Sequence, residues 1–479
     1  MLPNAWWWLS LLSISGIMWL WLRSACTPWA AAGLGLVFGL AFDAVSTSWL
    51  PGALRLYPDA PRWITIGAAP FAWAYCSIPW LLAGGAQALC YRYGPRWRLL
   101  VAAPLGALLG WWINTWALGG MPWTAPAYVF LDTMFAGFFP VGGYLLANLA
   151  VLWMAGCAVL AWHEHPRWIL GALSVPLLGW TLQQIMWTHP AATAVKVGIV
   201  QTRAPLGFAQ SNDALQSLQL MNLRISKVLV ERDHVDVVIW PEAGFQGSAL
   251  EWRTALSRGL KPEFAKTAFV IGMLIDDLEP GKTSEVAAPL YNVALAGGLH
   301  SSGLYAKRHL LPFGEFWPQS LPSVWRSTER AQRDVTAGPD RQAPMMVRGQ
   351  PVAASICYDD VYAVPFGDTD PSPSWLVNLS NDAWFDGDMP FQHLGMSRAR
   401  AMELGRYMVR AANVGPSAII APNGKVLAQT QRDQTSMLSG SITPLQGLTP
   451  FARWGNAVVM ALWGLLACAL ALRFCRRAI

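Results

Sequence analysis

Charge is scarce in this chain. Only 13% of its 479 residues are Asp, Glu, Lys or Arg, against 54% hydrophobic residues. That balance excludes an ordinary soluble protein, in which about a quarter of residues are charged. The shortage is uneven: charges are sparse before about residue 195, ordinary from there to about residue 455, and basic at the end. Metal-ligand patterns are lacking too. No CxxC, no HExxH and no calcium-loop spacing of carboxylates occurs, so no metal site is assigned. Basic residues exceed acidic ones by 34 to 28, but no basic cluster alternates with aromatics as a nucleic-acid groove requires.

Cysteine is scarce where it would matter for disulfides. Of seven cysteines, Cys26, Cys76, Cys90, Cys157 and Cys468 lie in apolar segments and Cys475 in the basic tail, which leaves Cys357 alone in the charged middle of the chain. No disulfide can form within that region. A free thiol there is either a packing residue or a working one, and in an oxidising compartment an idle one is a liability.

What is abundant is apolar length. Runs fall at roughly residues 5–22, 28–50, 63–90, 98–118, 128–161, 168–187 and 456–472, each close to or above the roughly 20 residues that cross a bilayer. They predict a transmembrane domain over 1–191 with about six helices, or seven if one long run is two short helices. They also predict a C-terminal anchor with a basic cytoplasmic tail over 456–479. The first run lacks leading Lys or Arg and is read as a membrane helix, not a cleaved leader. Arg23, Arg92, Arg96, Arg98, Arg167, Arg473, Arg476 and Arg477 cluster in alternate loops. The positive-inside rule puts those loops in the cytoplasm and residues 192–455 outside it. Trp6, Trp7, Trp8, Trp111, Trp112 and Trp123 near run ends read as interfacial anchors. Asp43, Asn114 and Asn148 inside runs mark either a lipid head-group path or helix-to-helix contacts.

Residues 192–455 alternate strand and helix patterns. Strands are expected at 195–201, 236–240, 267–273, 291–296, 303–308, 351–357, 374–378, 407–421 and 425–429. Helices are expected at 212–232, 248–258 and 391–407. Such interleaving predicts an α/β layered domain. Three of these strands end on reactive side chains: Val237-Val238-Ile239-Trp240-Pro241-Glu242, Tyr305-Ala306-Lys307-Arg308-His309, and Pro351-Val352-Ala353-Ala354-Ser355-Ile356-Cys357. Together they supply a base, a cation and a thiol. Acyl chemistry needs that set: Glu242 to take the thiol proton, Lys307 to lower the thiol pKa, and Lys307 with the Tyr358 backbone N–H to hold the oxyanion. A competing set pairs Cys357 with His309 or His393, as in papain-type hydrolases, and spacing does not separate the two.

The order Glu, Lys, Cys at these strand ends resembles the nitrilase superfamily, and the membrane runs narrow the resemblance to the apolipoprotein N-acyltransferases. Tyr305 to Phe316 is similar to that family's lysine motif. Asn378-Leu379-Ser380-Asn381-Asp382-Ala383-Trp384-Phe385, followed by Gln392-His393 and residues Arg398 to Gly405, is similar to its most recognisable block. Gly447-Leu448-Thr449-Pro450-Phe451-Ala452-Arg453 also matches. The resemblance implies an α-helical polytopic membrane domain carrying an α/β nitrilase-like αββα sandwich, without a cofactor. It implies an enzyme that moves an acyl chain from a phospholipid, through a thioester on Cys357, to the N-terminal amine of a diacylated apolipoprotein. Glu242 is then the base, Lys307 the oxyanion residue and Cys357 the nucleophile, with Glu315, Tyr358, Asp359, Asn381 and Trp384 in support. His309 and His393 become scaffolding. The implied setting is the bacterial inner membrane with the catalytic domain periplasmic, and a monomer is expected.

Three departures stand out. Asp359 replaces the family's usual glutamate, Gln201-Thr202-Arg203-Ala204-Pro205 lacks its asparagine, and Ala243-Gly244 differs just past Glu242. They bear on the acceptor and lipid pocket. Loops Phe316 to Arg326 and Val361 to Trp375 carry Trp317, Leu321, Val324, Trp325 and Phe366, which are expected to be exposed and to form a lid over the acyl chains. Two other readings follow from the departures: a nitrilase-type membrane acyltransferase or amidase with another acceptor, such as a conjugation-linked paralogue, and an inactive envelope scaffold. The intact Glu242, Lys307 and Cys357 set argues against the scaffold.

Overall fold

The computed structural model describes residues 6–24, 27–54, 62–203, 212–246, 262–276, 289–312, 314–317, 334–364, 366–367, 369–385 and 387–478. They form two compact units, one of residues 1–186, 363–365 and 449–479, the other of 187–362 and 366–448.

In the first unit every apolar run contains a helix: Trp7–Ser24, Pro28–Ser46, Arg62–Cys76 with Ile78–Leu89, Ala103–Ile113, Phe139–His163, Trp168–Gln183 and Ala457–Ala478. Among the described residues three helical stretches, Pro28–Ser46, Met134–His163 and Ala457–Cys475, are single spans by length and apolarity. The pair Ile66–Cys76 and Ile78–Leu89, bent by 41°, makes a fourth. The helices Pro28–Ser46 and Ile78–Leu89 cross backbone to backbone, because Gly35 and Gly84 leave no room for a Cβ against Trp80 and Ala31. The polar residues inside the runs make hydrogen bonds between segments. Asp43 Oδ2 accepts from Ser77 Oγ at 2.9 Å, Asn148 Oδ1 from the Ala127 amide at 2.7 Å, and Asn114 Nδ2 donates to Cys76 O at 3.4 Å. Two of the expected anchors are core residues instead. Trp111 and Trp123 are buried, packed edge-on against Trp80 and Trp49, whereas Trp6, Trp8 and Trp112 are exposed.

The second unit is built of strands β1 (His189–Pro190), β2 (Val195–Gln201), β3 (Val237–Gln246), β4 (Ala268–Asp276), β5 (Leu290–Gly298), β6 (Leu304–Ala306), β7 (Met345–Val347), β8 (Gln350–Ile356), β9 (Trp375–Ser380), β10 (Met408–Ala412), β11 (Ala418–Ile420), β12 (Val426–Gln429), β13 (Ser436–Ile442) and β14 (Leu445–Gln446). β1 and β14 pair as a small ribbon. The others make two six-stranded sheets, ordered β13-β2-β3-β4-β5-β6 and β12-β11-β10-β9-β8-β7, with parallel centres (β2-β3-β4 and β8-β9-β10) and antiparallel edges.

Strand alternation explains the layering. Val197, Ile199, Val237, Ile239, Ala268 and Val270 face inward against Val352, Ile356, Val377, Leu379, Val409 and Ala411 of the other sheet. Their neighbours Val200, Val238, Trp240, Phe269 and Ile271 face outward onto helix Asn212–Asp233 through Leu229. The outer face of the second sheet meets helix Met389–Leu404 through polar groups, Arg410 donating to Ser397 Oγ at 3.2 Å. The result is the αββα order expected. The stretch expected as one strand over 407–421 is two, broken at Asn413–Pro416, where Gly415 packs on the Asp382 carboxylate and a Cβ would collide with it. The expected helix at 248–258 lies outside the described residues.

Candidate active site

β3 does not end at Trp240 as its apolar run suggested. Its pairing with β4 slips between Trp240 and Phe245, and Ala243 takes φ +50°. This bulge pushes Glu242 out of the ladder. Gly272 on β4 makes it possible, since any Cβ there would strike Pro241 O and Glu242 Cα. Glu242 is 8% exposed. Its Oε1 accepts from Asn292 Nδ2 at 2.7 Å and lies 3.4 Å from Lys307 Nζ, while its Oε2 accepts from the Asn381 amide at 2.8 Å.

Lys307 follows β6, its amide donating to Asn292 O at 2.8 Å. Its ammonium is 2.8 Å from Glu315 Oε1, and the other oxygen of Glu315 accepts from the Leu311 amide at 2.7 Å, tying the loop to the lysine. Burial alone would lower the Lys307 pKa, but Glu315 and Glu242 outweigh it and raise the value, so the ammonium is charged.

Cys357 follows β8 as the first residue of a short 3-10 turn, Cys357–Val361, at φ +47°. A side chain in this left-handed conformation is turned out of the strand direction, which costs on the order of 1 kcal/mol or more and is held by its surroundings. The thiol pKa is raised well above the ordinary value, by burial first and then by Glu242, with Lys307 pulling the other way. Lys307 thus lowers the thiol pKa as expected, but burial and the carboxylate outweigh it, and the thiol needs a base. Glu242 suits that role, because burial and Glu315 raise its own pKa against the pull of Lys307.

The other expected residues divide in two. Asn381 reaches the site with its backbone amide, and its side chain caps the turn Asp382–Trp384 by accepting from the Ala383 amide at 3.3 Å. Tyr358 is buried with its ring edge-on to Tyr362, and Trp384 and Trp317 are half-buried. Trp325 lies outside the described residues. Phe366 is not an exposed lid residue: it is 8% exposed beneath the Arg406 guanidinium, 5.6 Å from its ring centre. Asp359 is held by internal contacts. Its oxygens accept from Tyr305 Oη at 3.0 Å, the Ile356 amide at 3.1 Å and the His309 amide at 2.8 Å, with His309 Nδ1 at 3.1 Å. Burial pushes its carboxyl up, but His309 and Lys307 more than offset that and hold it below the usual range. Asp359 thus pins the lysine loop to the cysteine turn. The His309 ring stacks on Tyr362 at 4.0 Å.

Two residues escaped the sequence reading, Asn292 and Arg410, the latter joining the already noted Asp382 and His393. Asn292 bridges the two carboxylates, its Nδ2 also lying 3.2 Å from Glu315 Oε1; the signal was an amide at the head of the apolar strand β5. The second belongs to a fully buried chain of Arg410, Asp382 and His393. Arg410 Nη2 donates to Asp382 Oδ2 at 2.6 Å, Asp382 Oδ1 is 2.9 Å from His393 Nδ1, and His393 Nε2 is 3.0 Å from the Cys357 carbonyl oxygen. The signal was an arginine inside the apolar run Met408–Ala412, since a buried cation requires a partner. Potential ligand atoms of Cys357, Asp382 and His393 fall within 4.8 Å of one another. They do not suit a cation: Nε2 must carry a proton to meet a carbonyl, and Asp382 is already paired with Arg410. The same proton removes His393 as a base for the thiol, against the papain-type alternative.

Residues 196–446 match the family described as carbon-nitrogen hydrolase, and residues 1–157 match the apolipoprotein N-acyltransferase N-terminal domain. Among curated proteins, the apolipoprotein N-acyltransferase of Ralstonia nicotianae is 30% identical, covering 99% of this chain and 91% of its own length. That of Nitrosomonas europaea is 34% identical over 93% and 89%, and that of Methylococcus capsulatus 30% identical over 93% and 88%.

Proposed function

The chain belongs to the apolipoprotein N-acyltransferase family, and from that premise we propose how its own residues carry the reaction. It is a membrane-associated acyltransferase that N-acylates lipoproteins, so its substrates are lipid and lipoprotein. In our reading the acyl donor is a phospholipid and the acceptor is the N-terminal amine of a diacylglyceryl-cysteine. Glu242 takes the Cys357 proton as Sγ attacks the donor ester carbonyl, and the oxyanion is held by Lys307 Nζ and the Tyr358 N–H. Collapse expels the lysophospholipid alkoxide, which takes the proton back from Glu242 and leaves a thioester on Cys357. The acceptor amine then attacks the thioester, Glu242 removes its proton, and the thiolate leaves and is reprotonated. Glu315 and Asn292 hold Lys307 and Glu242 in place.

The observation that carries this reading is the burial of Cys357 together with Glu242 and Lys307, whose carboxylate and ammonium lie 3.4 Å apart and are fixed by Asn292 and Glu315, with the thiol and Glu242 pKa values both raised by that burial. Neither group is reactive alone, and together they form an acid and base able to exchange one proton. In the same reading residues 1–191 and 456–479 are the membrane portion and 192–455 is the periplasmic catalytic domain of a monomeric enzyme in the cytoplasmic membrane. Trp317 and Trp325 belong to a lid that admits acyl chains.

The test incubates the purified full chain with phosphatidylethanolamine micelles and no acceptor. Intact mass should show one added acyl chain, mapped to Cys357 and removed by hydroxylamine, in wild type but not in Glu242→Gln. No adduct on folded wild-type protein would overturn the mechanism. Adding a diacylated peptide then discharges the adduct if the acceptor is a lipoprotein.

A further inference from the structure

We propose that His393, held by Asp382 and Arg410, is a positioning residue for the oxyanion site: it grips the backbone carbonyl of Cys357 and thereby aims the Tyr358 N–H. The inference rests on the acyl-thioester reading above and adds a residue to it.

The Arg410–Asp382–His393 chain ends on the carbonyl of Cys357 at 3.0 Å, not on its thiol. A carbonyl oxygen only accepts, so Nε2 carries the proton. Nδ1 lies between Asp382 Oδ1 at 2.9 Å and Arg410 Nη2 at 3.1 Å, which fixes the ring plane. Arg410 is fixed in turn by Asn378 Oδ1 at 2.7 Å. His393, Asp382, Asn378 and Arg410 have no exposed surface, so nothing in this chain is free to swing.

The Cys357–Tyr358 peptide is trans, and in a trans peptide unit, which resonance keeps close to planar, the C=O and N–H point in opposite directions. Holding the Cys357 oxygen toward His393 therefore directs the Tyr358 hydrogen away from it. The left-handed φ of Cys357 makes this grip necessary. Without it the peptide can relax to an ordinary φ, which rotates the N–H away from where the oxyanion forms. A donor aimed at developing charge must be fixed before the reaction to be effective.

The test compares wild type, His393→Leu and His393→Gln as full chains in detergent. Gln keeps an N–H donor near the Nε2 position. Two rates on Cys357 are read: thioester formation from phosphatidylethanolamine, which builds an oxyanion, and alkylation by iodoacetamide, which builds none. For His393→Leu the expected result is thioester formation slowed about 100-fold, the scale of one lost oxyanion donor, with alkylation within about twofold of wild type. His393→Gln should recover at least about tenfold of the loss. Thioester formation by His393→Leu within about threefold of wild type overturns the proposal. So does a parallel loss of alkylation, which marks a displaced thiol, or a folded His393→Gln no faster than His393→Leu. Failure of wild type itself to form a thioester while still alkylating overturns the underlying reading, and the proposal with it.

Discussion

Glu315 stands closer to Lys307 than the proposed base does, 2.8 Å against 3.4 Å from the ammonium nitrogen. In the proposed mechanism Glu315 holds the lysine and Glu242 moves the proton. Glu315→Gln should let Lys307 draw nearer to Glu242 and remove a charge that raises the Glu242 pKa. Thioester formation in wild type should fall on acidification at a pH above the ordinary carboxylate range, because Glu242 is protonated there. In Glu315→Gln that limb should move to lower pH while the plateau rate drops about 10-fold or more. A pH–rate profile with an unmoved limb contradicts the assignment.

Asn292 donates to both carboxylates, so its replacements should differ by charge. Asn292→Asp adds a third acid beside Glu242 and Glu315, and like charges at this range raise carboxylate pKa values. Its thioester formation should be slowed more than that of Asn292→Ala, because a raised Glu242 pKa keeps the base protonated, and the excess should shrink as the pH rises and Glu242 ionises. Equal rates for the two at all pH values count against the bridge.

Asp359 is the departure that the sequence linked to acceptor choice, and its contacts are internal. Asp359→Glu adds a methylene to a filled site and should cost about 1–3 kcal/mol of stability, read as a lowered thermal midpoint of the full chain in detergent. The ratio of rates on two diacylated peptides that differ after the cysteine should stay the same. A changed ratio would restore the link to acceptor choice.

Asp382 ties stability to pH. Burial raises its pKa, but Arg410 and His393 more than offset that and bring it to about 2. A carboxyl with a depressed folded pKa stabilises the fold above its unfolded value, near 4, and that contribution is lost as pH falls toward about 2. Asp382→Asn leaves a buried guanidinium without its counter-charge and should cost on the order of 3–5 kcal/mol at neutral pH. The gap in thermal midpoint between the two proteins should narrow between about pH 4 and pH 2. A gap that is constant with pH argues against an ionised Asp382.

The proposed lid is tested by replacing Trp317 and Trp325 with Ser. Slower thioester formation with unchanged iodoacetamide alkylation is expected, and unchanged activity on both lipid and lipoprotein removes the lid.

Much of the fold was legible where periodicity was strong. The strand Val195–Gln201, the helix Asn212–Asp233 and the apolar cores of β3 and β8 fall where their patterns put them. The chemistry was legible as residue types at strand ends. Less legible was whatever depends on two strands meeting. The bulge at Glu242 needs Gly272 opposite it, thirty residues away in sequence. The turn at Cys357 is held by His393 and Asp359 from other elements. β13 was passed over because Ser436, Ser439, Gly440 and Ser441 give it no apolar alternation, yet it pairs with all of β2. Trp111 and Trp123 read as interfacial because type and position in a run do not reveal what packs above them.

That last strand of the first sheet has a consequence for how the enzyme is made. β2 is synthesised near residue 200, but its partner at 436–442 leaves the ribosome some 240 residues later. Throughout that interval β2 has one unpaired edge, the kind of surface on which strands of other chains add. A nascent or truncated chain that stops before residue 436 carries Glu242, Lys307 and Cys357 with that edge open, so premature termination is expected to produce aggregates in place of a poorly active enzyme.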